Sequence, residues 1–214
     1  MSDGRAGAGA GAWTIVIPVK GTSAAKSRLG VSERVAVAIA LDTVAAAVAA
    51  VAADAAVGSP LGQVIVVTSR AVAADVESLG ARVVLDPGSG LDAAVAAGIA
   101  EAGDGAVAVL LGDVPGLLPS ELGDALVAAG RHPRSFVPDA DGSGTVLIAA
   151  RRSEDHAPAF GADSRALHAA AGYVELAIDA SSGLRRDVDT PDQLDALAGR
   201  LGPRTVAALA AQTA

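Results

Sequence analysis

The sequence predicts an α/β protein: a three-layer sandwich in which helices cover both faces of a mostly parallel, partly mixed sheet. Two observations predict it. Through the first 130 residues, short β-rich runs alternate with helical stretches rich in Ala and Val. Each run is an unbroken apolar block rather than an in–out alternation, which is the pattern of strands buried on both faces. A third observation modifies the picture. After Gly130 short runs follow one another with little helix between them, so the last part of the sheet need not be parallel.

The elements follow in order. Trp13 to Val19 (WTIVIPV) forms the first strand and gives way to a polar loop from Lys20 to Gly30. Ser32 can cap a long helix running to about Ala53. Gln63 to Thr68 is a second strand, Ala71 to Leu79 a helix, and Arg82 to Leu85 a third strand. The turn Asp86-Pro87-Gly88-Ser89-Gly90 leads into a helix from Leu91 to about Glu101. Ala106 to Leu111 is a fourth strand, ended by Gly112-Asp113-Val114-Pro115, and Pro119-Ser120 opens a helix to about Ala129. Ser135 to Val137, Thr145 to Ala149, Val174 to Ile178 and Leu184 to Val188 read as strands, and Ser164 to Ala171 as a short helix. Thr190-Pro191-Asp192-Gln193 carries a helix-start signature: Thr as N-cap, Pro in the first turn, Gln three residues after the cap. Residues 1–12, rich in Gly and Ala, are expected to be a disordered tail, and residues 13–214 a single domain.

Composition excludes several classes of function. The 214 residues carry 16 basic and 24 acidic side chains, a net charge of −8, and only 2% are aromatic. Such a chain lacks both the cationic field that binds phosphate backbones and the rings that stack on bases, so no nucleic-acid partner is expected. Cys is absent, which removes disulfides, thiolate metal sites and Cys nucleophiles. The three His residues (His132, His156, His168) lie far apart and are expected to be exposed side chains without a catalytic role. Any metal would therefore have oxygen ligands, which suit Mg²⁺ or Mn²⁺. Val35 to Val57 is apolar enough to suggest a membrane span. Asp42, Thr43 and Asp54 interrupt it, and Ala, about a quarter of the chain, is only weakly apolar. A core helix, no membrane partner and a cytoplasmic location are expected.

Four segments carry candidate chemistry at the carboxyl ends of strands, where open α/β sheets bind ligands. The loop KGTSAAKSR holds Lys20, Lys26 and Arg28, and these are the only two Lys of the chain. Cations beside the N–H groups of small residues can cradle a triphosphate, although the loop is one residue short of a Walker A motif. The alternative is a solvated basic loop. The turn Gly88-Ser89-Gly90-Leu91-Asp92 lets a base or ribose approach the backbone, or is a plain tight turn. Asp113, between Gly112 and a Pro-containing turn, can hold a divalent cation or cap the turn. Asp187 and Asp189, two apart on an extended segment, share one side and repel unless a cation lies between them. Arg185 and Arg186 are adjacent, so a surface ion-pair cluster is the competing account. For Asp139 and Asp141, in the turn PDADGSG, turn chemistry is the better explanation.

Taken in order, VK-loop-K-x-R-L, D-P-G-x-G-L-x-A-A, L-L-G-D-x-P, F-V-P-D-A-D-G-x-G-T, F-G-x-x-S and R-D-V-D-T-P resemble the phosphoenolpyruvate / 2-phospho-L-lactate guanylyltransferases, enzymes of coenzyme F420 biosynthesis. The resemblance runs from about Trp13 to Leu197 and implies a nucleotide-diphospho-sugar transferase-like fold. It implies that Asp113, Asp187 and Asp189 coordinate Mg²⁺, and that Thr145, Gly161 and Ser164 bind the acceptor's carboxylate, partly through main-chain N–H groups. Lys20, Lys26 and Arg28 would face the GTP phosphates, and Gly88, Gly90, Leu91 and Asp92 would approach the guanosine. Asp92 departs from the family pattern, in which Asn is frequent.

The reaction implied is transfer of GMP from GTP to phosphoenolpyruvate, with 2-phospho-L-lactate as the alternative acceptor and the downstream transferase of the pathway as a candidate partner. An Ala/Gly/Arg-rich, Lys-poor composition suggests a GC-rich genome, as in actinobacteria, whose family members are assigned phosphoenolpyruvate. The acceptor phosphate is already ionised at neutral pH. No general base is needed, and positioning plus electrostatics would carry catalysis. A non-catalytic nucleotide-binding module is the alternative from another class.

Overall fold

The computed structural model describes residues 12–19, 31–55 and 61–212. The expected tail and the loop with Lys20, Lys26 and Arg28 lie outside the described residues. Seven strands form one sheet in the order β3-β2-β1-β4-β6-β5-β7. They are β1 (Trp13–Pro18), β2 (Leu61–Thr68), β3 (Arg82–Leu85), β4 (Val107–Leu110), β5 (Arg134–Pro138), β6 (Thr145–Ala150) and β7 (Val174–Glu175). Strands β1 to β4 pair in parallel, β6 runs antiparallel to both β4 and β5, and β7 is parallel to β5. The mixed sheet expected from the changed rhythm after Gly130 is present, and its reversal falls at β6.

The helices are α1 (Glu33–Ala55), α2 (Arg70–Ser78), α3 (Leu91–Ala102), α4 (Pro119–Ala129), α5 (Ser164–Ala170), α6 (Pro191–Ala196) and α7 (Pro203–Gln212). Alternate residues of β1 feed opposite cores. Ile15 and Ile17 join Val44 of α1, Val76 of α2 and Leu126 of α4 on one face, whereas Val16 meets Val95 of α3 on the other. Burying an aliphatic side chain of this size stabilises the fold by roughly 1.5–3 kcal/mol, which is why the apolar run Ile15–Ile17 is held between two layers. A third cluster joins Val35 and Ile39 of α1 to Val188, Leu194, Leu197 and Ala208.

Among the described residues one helix, over Glu33–Ala53, is long and apolar enough to cross a membrane, but half of it is buried in the fold. Its polar interruptions have tertiary work. Asp42 accepts hydrogen bonds from the backbone of Arg204 and Thr205 and from the Thr205 hydroxyl, so a buried carboxylate caps α7. Thr43 donates to the Ile39 carbonyl and accepts from the Val114 backbone N–H. The Thr190 cap is also as expected: its Oγ1 accepts from the Gln193 backbone N–H, and the Gln193 side chain accepts from the Thr190 and Asp189 N–H groups.

Two expectations need correction, and one helix was not anticipated. Leu184 to Val188 is not a strand. Gly183–Arg185 is a 3-10 turn, capped by the Ser182 hydroxyl, and the Arg185 guanidinium turns back to donate to the carbonyls of Pro138, Asp139 and Ile178. Those bonds hold the segment across the sheet edge rather than along it. Strand β7 covers two residues rather than five, because the Ile178 N–H bonds to the Leu176 carbonyl and folds the chain away. The helix α7 is not legible from the motifs: its start is fixed by Asp42, 163 residues earlier than Thr205.

Candidate active site

Five chain segments reach one edge of the sheet. Strand β1 ends there at Val19, β2 at Thr68, β3 at Asp86 and β4 just before Asp113; β5 runs in the same sense as β4 and ends there at Asp139. Because β6 is reversed, its first residue, Thr145, lies at this same edge. The change of strand direction therefore places the start of β6 beside the exit of β4.

Asp113 is held in place from three sides. Gly112 passes close to β1, where an added Cβ would come within 3.1 Å of the Pro18 carbonyl. The buried Thr43 hydroxyl takes the Val114 N–H at 3.1 Å. The Asp113 carbonyl accepts the Val188 N–H at 2.9 Å, which ties the Asp187–Asp189 segment alongside it. Asp187 is pushed up to about 8, first by burial and then by the negative charges of Asp113, Asp139 and Asp189. Four acids from three distant stretches thus share one electrostatic neighbourhood, and burial makes their mutual repulsion costly.

Among the described residues, neither Arg185 nor Arg186 forms an ion pair with these acids. Arg185 is committed to three backbone carbonyls, and Arg186 reaches the Ala180 carbonyl. Among the described residues, no group of three or more His, Asp or Glu side chains is gathered tightly enough to hold a metal ion as it stands. The donor chemistry is nevertheless that of a hard divalent cation: carboxylate oxygens only, at a point where burial, and then the neighbouring negative charges, favour the protonated form of Asp187.

Asp139 behaves as a turn residue, as expected. Its carboxylate accepts the backbone N–H groups of Gly142, Ser143 and Gly144 at 2.5, 3.0 and 2.7 Å. Sequence reasoning missed its second effect, the charge it adds beside Asp187.

Thr145, Gly161 and Ser164 also approach one another. Thr145 and Ser164 are buried, and Gly161 adopts φ 121°, a conformation open to Gly and costly for other residues. The Ser164 N–H bonds to the Gly161 carbonyl at 3.2 Å. The residue that joins these pieces is His168, which is fully buried. It bonds Thr145 Oγ1 at 3.0 Å and accepts the Ala159 N–H at 3.0 Å. The expectation of exposed His residues is therefore wrong for His168. It is wrong also for the partly buried His156, which bonds the Val107 carbonyl and the Tyr173 hydroxyl. Three apolar or aromatic neighbours around His168 (Phe136, Phe160 and Tyr173) come from separate elements, so no local spacing announced its burial.

The turn holding Gly88, Gly90, Leu91 and Asp92 lies at the β3 end of the edge. Gly88 and Gly90 have φ of 77° and 100°, and the Gly88 N–H bonds the Asp86 carboxylate at 2.8 Å. Leu91 packs against the core around α3, while Asp92 is exposed in that helix's first turn. From β3 to β4 is three strand spacings, about 14 Å, and from β4 to β6 only one, about 5 Å.

A family model, the MobA-like NTP transferase domain, matches residues 24–176. The fold is that of nucleotide-diphospho-sugar transferases. A Desulfovibrio desulfuricans protein assigned to that class superposes with a TM-score of 0.56 at 15% identity, covering 87% of this chain and 95% of its own. A manganese complex of Rv0371c from Mycobacterium tuberculosis superposes with a TM-score of 0.52 at 20% identity, covering 87% and 97%. Fold and family model together define a nucleotidyltransferase.

Relatives narrow the class. The phosphoenolpyruvate guanylyltransferase of Streptomyces coelicolor is 47% identical over 92% of this chain and 96% of its own. That of Thermomonospora curvata is 47% identical over 94% and 89%. The chain belongs to the phosphoenolpyruvate guanylyltransferase family.

Proposed function

We propose that the enzyme transfers GMP from GTP to phosphoenolpyruvate, releasing pyrophosphate and giving enolpyruvyl-diphospho-guanosine, as a cytoplasmic step of coenzyme F420 biosynthesis carried by a single domain over residues 13–214. The observation that carries this reading is the convergence of Asp113, Asp187 and Asp189 one strand away from Thr145, in a chain whose relatives bear that activity's name.

A phosphate oxygen of the acceptor attacks the α-phosphorus of GTP. The new P–O bond forms as the bond to the β-phosphate oxygen breaks, and pyrophosphate leaves with that electron pair. Both reactants are anions, and a divalent cation, Mg²⁺ in this proposal, held by Asp113, Asp187 and Asp189 supplies the positive charge that screens them. Thr145, Gly161 and Ser164 hold the acceptor's carboxylate at the β6 end. The turn from Gly88 to Asp92 receives the guanosine at the β3 end. Lys20, Lys26 and Arg28 follow directly on β1 in the sequence and belong, in this reading, to the triphosphate.

A pyrophosphate-release assay with GTP and each candidate acceptor tests the proposal. Release with phosphoenolpyruvate is expected. Release with 2-phospho-L-lactate alone would replace the acceptor, and release with no three-carbon phospho-acid would end the idea.

A further inference from the structure

We infer that His168 is the positioning residue of the acceptor site: its imidazole joins Thr145 to the Ala159–Gly161 segment and forces the Thr145 hydroxyl to act as a donor toward the acceptor's carboxylate. The inference rests on the proposed placement of the acceptor at Thr145, Gly161 and Ser164.

The assignment of protons follows from the partners. The Ala159 backbone N–H can only donate, so Nε2 of His168, 3.0 Å away, must be the bare nitrogen. A neutral imidazole then carries its hydrogen on Nδ1, and that hydrogen is donated to Thr145 Oγ1 at 3.0 Å. The Ser164 carbonyl also faces the ring. Thr145 Oγ1 is thereby an acceptor toward the ring, and its own single hydrogen is left for another partner. A carboxylate, which only accepts, is the complementary ligand.

The neutral state is secured by burial. The ring is fully buried beneath Phe136, Phe160 and Tyr173, and burial pulls it down to about 4. A charged imidazolium would donate from both nitrogens and clash with the Ala159 N–H. The same ring also spans the two walls. One contact is the first residue of β6, the other is two residues before Gly161, and His168 itself lies one helical turn beyond Ser164 on α5. Loss of the ring would loosen all three proposed acceptor contacts together.

Steady-state kinetics of the full chain test this with three variants. His168→Gln keeps an acceptor near the Nε2 position and loses the donor to Thr145. His168→Asn keeps a donor near Nδ1. Thr145→Val removes the hydroxyl. The expected result is about a tenfold rise in KM for phosphoenolpyruvate in His168→Gln, with KM for GTP within twofold of the parent. His168→Asn should fall between the two, and His168→Gln/Thr145→Val should be no worse than Thr145→Val alone.

An unchanged acceptor KM in His168→Gln beside an impaired Thr145→Val would overturn the inference and leave the acceptor site standing. A normal Thr145→Val would overturn the acceptor site itself. Parallel rises in both KM values would show a merely structural role. Should the His168 variants not fold, ¹⁵N NMR of the parent imidazole decides the matter. The Nδ1–H tautomer, with a shift on adding phosphoenolpyruvate to the GTP-loaded enzyme, is expected; the opposite tautomer or a silent ring would refute it.

Discussion

Acidification gives a direct measure of how much the buried His168 constrains the fold. Its imidazole titrates at about 4 in the folded chain, against 6.5 for the unperturbed group, because burial disfavours the charged form. The unfolded chain therefore takes up the proton first as the pH falls. The contribution to stability is complete above pH 6.5 and is lost as the pH drops through 6.5 toward 4. The full shift of about 2.5 units corresponds to about 3 kcal/mol, of which about 2 is lost by pH 5. Urea unfolding at pH 7.5, 6.5, 5.5 and 5 would be compared for the parent and His168→Gln, which has nothing to titrate at this position. His156 is also lowered by burial and acts with the same sign in both proteins, so it cancels in the difference. The stability gap between parent and variant should shrink by about 2 kcal/mol between pH 7.5 and 5. Parallel curves, or a gap that widens in acid, would refute the account of a neutral ring locked between the Ala159 N–H and Thr145.

Three further outcomes are expected. Asp189→Asn should lower turnover at least 100-fold, on the order of 3 kcal/mol of lost transition-state stabilisation, with circular dichroism and Tm unchanged; a variant with normal turnover would remove Asp189 from the metal site. Asp187→Asn should raise the Tm of the chelator-treated protein at pH 8. The folded group titrates at about 8 against 3.8 unfolded, so its contribution is intact below pH 4 and is lost as the pH rises to 8, and the difference between the two proteins should vanish near pH 4. Asp42→Ala leaves the first N–H groups of α7 and the Thr205 hydroxyl without their acceptor, and should cost roughly 2–4 kcal/mol in urea unfolding without altering either KM.

Local chemistry made much of this fold legible. The strands β1, β2 and β4 announced themselves because a stretch covered on both faces favours an apolar run, β3 by its short apolar run Val83–Leu85 although it is an edge strand, and Gly112-Asp113 and Gly88-Ser89-Gly90 marked the exits of β4 and β3. The cap of α6 was legible because Thr190 and Gln193 satisfy each other's backbone within four residues. What escaped was long-range. The strand expected over Leu184 to Val188 failed because Arg185 bonds carbonyls 46 and 47 residues upstream, a competition no local propensity registers. His168 looked like an isolated surface side chain because its partners, Thr145 and Ala159, and its aromatic neighbours are assembled only by the sheet. The acids were legible as types and as strand-end positions, but that Asp139 joins their field depends on β5 and β4 running the same way with β6 between them.

The reversal of β6 ties these observations together. In a wholly parallel sheet the edge that gathers strand exits would be lined by loops alone, and the residue beside Asp113 would be the last of a strand. Turning β6 around puts the first residue of a buried strand there instead. The strand that begins with Thr145 is laddered to both β4 and β5, Thr145 itself pairs with Pro138, and a buried ring stands against its hydroxyl, while the acids lie just outside the strands. A hydroxyl fixed in this way at the same sheet edge as the acids suits the proposed reaction, in which two anions must be set at a fixed separation. In the proposed reaction the β6 side would hold the small acceptor, and Asp113, Asp187 and Asp189 would hold the cation whose charge offsets their repulsion. The tight hydrogen bonding around Thr145 and the raised pKa of Asp187 thus belong to one sheet edge, the first set by β6 and His168, the second by burial and by carboxylates that include those at the exits of β4 and β5 on either side of β6.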